Sequence, residues 1–508
     1  MVNFFRKNIF SLAVLALLII GFAFRLYGLP QNYSFWTDEA STARFALGVV
    51  RTGLPKSLAT GYVLDAYYTT HYLTGLSFLI FGPNEMAARL PEVIFGTILI
   101  AVVYLFGKKL FNREIGLGGA LFTTFSFIQI AWSRQARGYM ILEVLFLLSL
   151  YFLFKFFSDR KKSSLILLIL SVLLTILTHT LGFVLIPIIF LYWLSRGNIK
   201  KFFFSGRTYL LITGVLIVFF IFPISKSLLT FLFSYKIANL LTGKTFLAYY
   251  HSLFWRQYPL FSFLGFLGFL YLFLKKEKAQ AGLLFGSILL YLTMTSFFLH
   301  VPFEKYSLAI FPLLFIIASF TLFKISRTLF PEKKLGNLIY FALVLFIILN
   351  GNKFSFKPRQ FYSLNFDMRE IPEIDYKKMY ALVKEKSAKV DPPKVAVIEI
   401  DEDIPAWYLG ENGNYFNPRN DVPGEEKSTS VGAVYIHNLD ELTRVYKKFP
   451  YGFVFLIEHN FRFYPEGMVD WVRKNLILEK KESFASFSPD WNYWPVELYS
   501  WGFENVKK

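Results

Sequence analysis

Two adjacent carboxylic acids, Asp38 and Glu39, lie in the segment Phe35-Trp36-Thr37-Asp38-Glu39-Ala40, just after an apolar stretch long enough to cross a bilayer. One of these carboxylates could act as a general base that removes the proton from an acceptor hydroxyl. In the structural alternative, Thr37 caps a helix and the two acids only favour the positive N-terminus of that helix. Both interpretations require a helix that begins at this segment.

Cationic side chains lie near the ends of other apolar stretches, on the predicted outer face of the membrane. They are Arg89, Arg134, Arg137 and Lys305. Basic residues are expected mainly on the inner face, so arginines in a short outer turn go against that bias. They either snorkel to lipid headgroups or bind a phosphate group, whose geometry guanidinium matches. A base and phosphate-binding cations on one face suit attack on a sugar whose leaving group is a lipid phosphate, because the cations stabilise the charge that develops on it.

Other side chains of the same outer loops and turns are candidate substrate contacts. Aromatic rings stack on sugars, although aromatic belts populate this depth of a membrane in any case. Several histidines fall near the same boundary, but their spacing fits no local metal motif, so we favour interfacial or hydrogen-bonded roles for them. We predict no metal ligand and no required cofactor, and leave dependence on a divalent metal open. The predicted substrate-binding residues are Trp36, Asp65, Tyr67, Tyr68, His71, Tyr139 and His179.

The composition places the chain in the membrane class. Of its 508 residues, 55% are hydrophobic and only 18% are charged, which is more apolar surface than a soluble domain can bury. The net charge of +19 would suggest a nucleic-acid partner in a soluble protein, but cytoplasmic loops of membrane proteins carry excess Lys and Arg, so we predict no nucleic acid. The chain has no cysteine, which excludes disulfides and thiolate metal sites.

The elements that must position the candidate residues are transmembrane helices, each of which needs about 20 apolar residues. Short basic loops alternate with these stretches, which predicts a cytoplasmic N-terminus and, with an odd number of spans, a C-terminal segment outside. Residues 1–28 form an uncleaved first span rather than a signal peptide. The eleven predicted spans are 8–28, 86–107, 114–133, 138–157, 164–179, 181–195, 208–224, 259–274, 280–300, 306–325 and 335–350.

Three segments are not predicted to span. Residues 29–85 form a first outer loop, which carries the acidic motif and has interfacial helices at 38–52 and 67–81. Residues 225–258 form a second outer loop that could lie on the membrane. Residues 352–508 read as an extracytoplasmic α/β domain after the transmembrane domain 1–351. Its predicted elements are strands at 395–400 and 452–457 and helices at 439–448 and 466–475.

The order of several short motifs resembles the family 39-type membrane glycosyltransferases, which include protein O-mannosyltransferases and the aminoarabinose transferases that act on lipid A. The resemblance covers roughly residues 8–325 and is strongest over 30–145. It implies a GT-C fold and transfer of a sugar from a polyprenyl-phosphate donor at the outer membrane face. The motifs are Trp36-Thr37-Asp38-Glu39-Ala40, Leu79-Ile80-Phe81-Gly82, Ala88-Arg89-Leu90-Pro91, Lys109-Leu110-Phe111 and Ser133-Arg134-Gln135-Ala136-Arg137.

Residue by residue, the family's catalytic acid matches Asp38, its neighbour Glu39 and its motif arginine Arg89. Many members have Pro-Pro where this chain has Tyr67-Tyr68, and many have Arg-Tyr where it has Lys305-Tyr306. Others have an acid at the position of Tyr139. The resemblance therefore indicates the reaction more strongly than the sugar or the acceptor.

These observations predict an α-helical, multi-pass protein of the plasma membrane that works as an inverting hexosyl- or pentosyltransferase. Its expected partners are a polyprenyl-phosphate sugar donor, membrane lipids, and a protein, lipid or glycan acceptor. A transporter or flippase of lipid-linked sugars is the alternative. It would be expected to carry charged or broken helices at mid-membrane, and the predicted spans have few. A structural or binding protein whose outer domain does the work is a second alternative.

Overall fold

The computed structural model describes residues 2–32, 34–64, 66–196, 245–299, 302–359, 376–390, 394–482 and 496–504. They form two compact units. The first comprises residues 1–29, 65–70 and 89–362, and the second comprises residues 30–64, 71–88 and 363–508. The second unit therefore unites most of the first loop with the C-terminal segment, whereas the boundary between domains at 351 and 352 stays a prediction.

Helices dominate the described chain. In chain order they are α1 Val2–Leu26, α2 Thr37–Thr52, α3 Tyr68–Phe81, α4 Glu85–Leu110, α5 Arg113–Phe125, α6 Phe127–Trp132, α7 Tyr139–Asp159, α8 Lys162–Thr178, α9 Leu185–Arg196, α10 Leu247–Ser252, α11 Pro259–Leu274, α12 Lys278–Phe298, α13 Phe311–Leu329, α14 Lys333–Asn350, α15 Tyr376–Ser387, α16 Asp403–Leu409, α17 Leu439–Lys448 and α18 Met468–Asn475. The strands are β1 Val395–Ile398, β2 Asn414–Pro418, β3 Val434–Ile436, β4 Tyr451–Ile457, β5 Ile477–Glu482 and β6 Val496–Trp501.

Six of the described helices are long and apolar enough to cross a membrane, and a seventh span results if Leu247–Gln257 and Pro259–Leu274, which meet at a bend of 100°, are taken together. The described chain is thus mostly helical and carries multiple membrane-crossing candidates, as the composition predicts. The predicted span at 208–224 lies outside the described residues. The total of eleven spans stays a prediction.

The predicted span 114–133 is interrupted at Ser126, between α5 and α6. A later segment of the chain lies against this break. The backbone N–H of Phe127 donates to the carbonyl of Lys353 at 2.8 Å, and that of Ser355 donates to the carbonyl of Phe125 at 2.8 Å. These bonds satisfy backbone groups that a broken helix leaves without partners inside the helix. The turn that carries Arg134 therefore follows a short helix rather than a continuous span.

The predicted turn between the spans 164–179 and 181–195 is confirmed. Helix α8 ends at Thr178, a 3-10 turn covers Thr180–Val184 and α9 begins at Leu185. Gly182 makes the turn tight, because a Cβ there would lie 2.7 Å from the carbonyl carbon of Thr175. The break places His179 at the end of α8.

The C-terminal domain contains a six-stranded sheet in the order β3-β2-β1-β4-β6-β5. Strands β1 to β4 are parallel, and β6 pairs antiparallel with β4 and with β5. All residues of β1 are buried, as expected for an inner strand of a parallel sheet covered on both faces. The structure confirms a sheet-containing C-terminal domain, including the helix predicted at 439–448, which is α17.

Helix α2 is the element that carries the acidic motif. Most of its residues between Glu39 and Gly48 are buried, and it ends where Gly53 adopts a left-handed backbone with φ of 80°, which glycine tolerates without strain. The helix predicted at 38–52 is therefore present with nearly the predicted ends. Its location at a membrane interface stays a prediction.

Candidate active site

The acidic motif begins α2. Trp36 is the N-cap residue, with an extended backbone at φ −91° and ψ 169°, and its side chain makes no capping bond. Thr37 is already helical, so its predicted role as the cap is wrong. Its side chain instead hydrogen-bonds to the carboxyl group of Asp401. Asp38 and Glu39 lie in the first turn, and the hydroxyl of Thr42 donates to the Asp38 carbonyl at 2.9 Å.

Two carboxyl groups that the sequence analysis missed, Asp401 and Asp403, lie near Asp38. Burial raises the pKa of Asp401 to about 6. The hydrogen bond from Thr37 opposes this shift, while the charges of Asp403 and Asp38 add to it. Burial also raises the pKa of Asp403 above its usual range, although Arg44 opposes this shift. The acidic run that directly follows a buried strand, Asp401-Glu402-Asp403, is the sequence signal that could have found them.

The remaining candidates of the first loop lie in different surroundings. Trp36 and His71 are buried, and the His71 ring lies 5.8 Å from that of Phe45. Tyr68 is the half-buried first residue of α3. Asp65 lies outside the described residues. The structure therefore places His71 in a packed contact with an aromatic ring, and its predicted substrate role stays a prediction.

Arg134 belongs to the other unit. Its buried side chain lies against the C-terminal end of α1. Its Nη1 donates to the carbonyls of Arg25 and Tyr27 at 2.8 Å and lies 3.4 Å from that of Phe24. A cation that satisfies the last carbonyls of a helix also complements the negative end of the helix dipole. Burial and the nearby charge of Arg89 lower the pKa of Arg134 to about 10. These bonds give Arg134 a structural role, because they join the turn after α6 to the end of α1.

Arg134 binds carbonyl groups at the C-terminal end of a helix, whereas Glu92, one turn beyond Arg89 on α4, binds N–H groups at the N-terminal end of α7. Its Oε2 accepts a hydrogen bond from the backbone N–H of Met140 at 2.8 Å, and the backbone of Gly138 contributes another. The Glu92 carboxyl group therefore accepts bonds from backbone N–H groups that a helix N-terminus leaves without partners inside the helix. Arg137 also interacts electrostatically with Glu92. The predicted cations Arg89, Arg134 and Arg137 thus gather around the turn between α6 and α7.

An aromatic cluster lies beside the same turn and consists of Tyr67, Tyr139, His179 and Tyr306. The His179 ring lies 5.2 Å from Tyr67, 5.6 Å from Tyr139 and 6.1 Å from Tyr306. Tyr67 has a positive φ of 58°, which is a strained conformation for a bulky residue and tends to mark functional sites. The structure brings together three residues that the sequence analysis named separately.

Lys305 joins this cluster. Its Nζ lies 4.5 Å from the centre of the Phe303 ring and 5.6 Å from that of Tyr306, and the residue is 4% exposed. A buried ammonium over aromatic faces is stabilised by the ring quadrupoles. In the described part of the chain, no group of three or more His, Asp and Glu side chains is arranged to hold a metal ion.

The sequence comparisons concern parts of the chain. The family model described as dolichyl-phosphate-mannose-protein mannosyltransferase matches residues 68–225, which is under a third of the chain. An uncharacterized protein of Aquifex aeolicus (strain VF5) is 27% identical over 193 residues, which cover 37% of this chain. The match spans 38% of the length of that relative.

Solved structures match over nearly the whole chain. ArnT from Cupriavidus metallidurans bound to undecaprenyl phosphate superposes with a TM-score of 0.55 at 14% identity, covering 98% of each chain. Archaeal oligosaccharyltransferase AglB from Archaeoglobus fulgidus, in complex with an inhibitory peptide and a dolichol-phosphate, matches with a TM-score of 0.54 at 11% identity, covering 89% of this chain and 70% of AglB. The chain therefore shares the GT-C fold of these membrane proteins, as the sequence motifs predict.

Proposed function

We propose that this protein is a membrane glycosyltransferase that moves a sugar from a polyprenyl-phosphate donor to an acceptor hydroxyl on the outer face of the plasma membrane. The observation that carries the proposal is the GT-C fold, which the chain shares over 98% of its length with a protein bound to undecaprenyl phosphate. The match of residues 68–225 to a family of dolichyl-phosphate-mannose-protein mannosyltransferases supports the same class of donor.

Asp38 is the general base in this proposal. It is half-buried at the start of α2 and can be reached by an acceptor, whereas its neighbour Glu39 is fully buried. The Asp38 carboxylate takes the proton of the acceptor hydroxyl while the hydroxyl oxygen forms a bond to the anomeric carbon of the sugar. The bond from that carbon to the phosphate oxygen breaks on the opposite side of the ring. The sugar is transferred with inversion, and polyprenyl phosphate leaves with one additional negative charge.

Arg89, Arg137 and Lys305 bind the donor phosphate and stabilise the charge that develops on it. This assignment is supported by the positions of two arginines in the first unit. Arg89 lies near Arg134, and Arg137 lies near Glu92. The Arg134 Nη1 already donates to carbonyls of α1, so we assign Arg134 first to the support of this turn. The donor KM of Arg134→Lys tests its predicted phosphate contact.

The aromatic cluster of Tyr67, Tyr139, His179 and Tyr306 contacts the transferred sugar. Tyrosine and histidine rings combine an apolar face, which packs on the C–H groups of a sugar ring, with polar atoms that bond to its hydroxyls. The centre of the His179 ring lies 5.2 to 6.1 Å from the centres of the three tyrosine rings, and the Lys305 Nζ lies 5.6 Å from that of Tyr306. A monosaccharide attached to a phosphate presents both kinds of surface.

The experiment is a transfer assay with purified protein, a panel of polyprenyl-phosphate monosaccharides and a membrane extract as the source of acceptors. An acceptor that carries the transferred sugar, together with release of polyprenyl phosphate, would support the proposal. Asp440→Asn is the matched control for Asp38→Asn, because Asp440 is an exposed acid in the first turn of α17. Absence of transfer from every donor of the panel would count against the proposal.

A further inference from the structure

In the parallel part of the C-terminal sheet, the order in which successive strands are added reverses at β1. From this strand the chain proceeds to β2 and β3 on one side, and it later returns to place β4 on the other side. In open sheets of this kind, ligands bind beyond the carboxyl ends of the strands at the point of reversal. The residues directly beyond β1 are acidic and include Asp401 and Asp403. The position and the charge both suit a cationic ligand.

The chain's own helix α2 supplies that cation. The Arg44 guanidinium pairs with the carboxylates of Asp403 and Glu411, with an Nε to Oε1 distance of 2.9 Å for Glu411. It also donates to the hydroxyl of Ser430 at 3.1 Å and to the Ser430 carbonyl at 3.2 Å. Arg44 is 1% exposed, so these bonds form away from water. The segments after β1 and β2 thus bind one arginine through three residues.

A second contact lies two turns earlier on the same helix. Thr37, whose hydroxyl bonds to Asp401, precedes Arg44 by seven positions, which is about two turns of an α-helix and places both side chains on one face. Asp38 follows Thr37 directly. The carboxylate that we propose as the base is therefore carried by a helix whose first two turns are bonded to the sheet domain.

The residue before the motif is fixed by the same domain. The backbone N–H of Phe35 donates to the hydroxyl of Tyr408 at 3.0 Å, and the Phe35 ring lies 5.3 Å from that of Trp407. Trp407 and Tyr408 both belong to α16, which begins with Asp403. One short helix therefore contacts the chain on both sides of Asp38.

We infer that the C-terminal domain holds the acidic motif in place, with Arg44, bound to Asp403 and Glu411, as the positioning residue for the Asp38 carboxylate. This inference rests on the proposed function of Asp38 and deepens it. The planar guanidinium bonds in fixed directions to several acceptors, which a lysine ammonium does not reproduce. Displacement of a catalytic group by about 1 Å can cost roughly a hundredfold in rate, so loss of this geometry should act on turnover.

The first test compares Arg44→Lys with Arg51→Lys, an exposed arginine in the last turn of the same helix. We expect Arg44→Lys to lower kcat by about ten- to a hundredfold with the KM for the donor unchanged, and Arg51→Lys to behave as wild type. Glu411→Gln should lower kcat in the same way, because it removes one charge from the network. A folded Arg44→Lys protein with wild-type kcat would overturn the inference.

The second test does not depend on activity. The chain has no cysteine, so Arg51→Cys and Asp440→Cys introduce two exposed sites for nitroxide labels, one on α2 and one on the sheet domain. The distribution of distances between the two labels should be narrow in the protein that keeps Arg44 and broader in the Arg44→Gln variant. If Arg44→Gln does not fold, Arg44→Lys takes its place. An unchanged distribution in a folded variant would show that Arg44 does not fix the helix.

The two tests separate this inference from the proposed function. If Asp38→Asn retains full transfer, or the wild-type protein transfers no sugar, the proposed function fails and the label distances alone decide whether Arg44 fixes α2. If Asp38→Asn is inactive while Arg44→Lys has wild-type kcat and label distances, only the positioning role fails.

Discussion

Glu39 is fully buried, whereas Asp38, its neighbour in the first turn of α2, is half-buried. Successive residues of a helix point about 100° apart, so the two carboxyl groups face different surroundings. A group that exchanges a proton with a substrate must be reachable, and a fully enclosed one is more suited to holding structure together. The two acids of the motif are therefore expected to respond differently to mutation.

Glu39→Ala should destabilise the protein. Buried polar groups in folded proteins are generally hydrogen-bonded, and truncating one leaves its partners unsatisfied, which costs ~1–3 kcal/mol. The measurement is the thermal unfolding midpoint in detergent, with Glu466→Ala, at an exposed position of the C-terminal domain, as the control. A midpoint equal to that of the control would show that Glu39 is not a structural residue.

Asp401→Asn should stabilise the protein, and more so at high pH. The folded protein holds the pKa of Asp401 at about 6, above its ordinary value of 3.8. Since the unfolded chain loses this proton first, the ionised group costs stability progressively as pH rises from about 4 to above 6. Asparagine carries no charge and can still accept the hydrogen bond from Thr37.

The check on Asp401 is the unfolding midpoint at pH 4.5 and at pH 8. Asp421→Asn is a control of opposite sign, because the hydrogen bond from Arg419 holds the pKa of Asp421 below its usual range. That variant should lose stability at pH 8, whereas Asp401→Asn should gain it. Equal shifts at both pH values for Asp401→Asn would contradict the raised pKa.

Arg134→Lys and Arg137→Lys should separate structure from donor binding. Arg134 donates to carbonyls of α1, so lysine there is expected to lower the unfolding midpoint with little change in donor KM. If Arg137 binds the phosphate, lysine there should raise donor KM about tenfold or more, because a lost charge-assisted bond costs ~1.5–3 kcal/mol. Arg113→Lys, at the start of α5, is the control. A raised donor KM in Arg134→Lys would restore Arg134 as a phosphate ligand.

The N-terminus should be cytoplasmic and the C-terminal domain outside. This prediction rests on the alternation of short basic loops along the sequence. Reporter fusions after Lys162 and after Lys508 are expected to report opposite sides of the membrane. The same side for both fusions would require a different number of spans.

Local patterns predicted much of the helical architecture. The helix at 38–52 was predictable because an acidic pair favours a helix N-terminus and Gly53 ends it, and 439–448 because its polar and apolar positions recur with a helical period. Hydropathy also identified most apolar stretches. It could not predict the break at Ser126, because the bonds that stabilise this break come from residues 353–355, far away in the sequence.

The site was predictable as a set of residues but not as an arrangement. Arg134 was recognised as an unusual outer cation, yet its bonds to the carbonyls of α1 depend on tertiary packing. Arg44 and Asp403 are separated by 359 positions, and neither belongs to a motif that would connect them. Thr37 looked like a helix cap because its residue type favours that position, but a carboxyl group from the C-terminal domain binds its side chain instead.

The most direct measurement is single-turnover transfer from a polyprenyl-phosphate sugar by wild-type protein and by Asp38→Asn, with Asp440→Asn as the control. Losing a general base typically costs about 10²–10⁴ in rate, so Asp38→Asn should fall by that factor while its unfolding midpoint stays at the wild-type value. Asp440→Asn should transfer at the wild-type rate. Transfer by Asp38→Asn within a few-fold of wild type would contradict the account, because the proton of the acceptor would then go elsewhere.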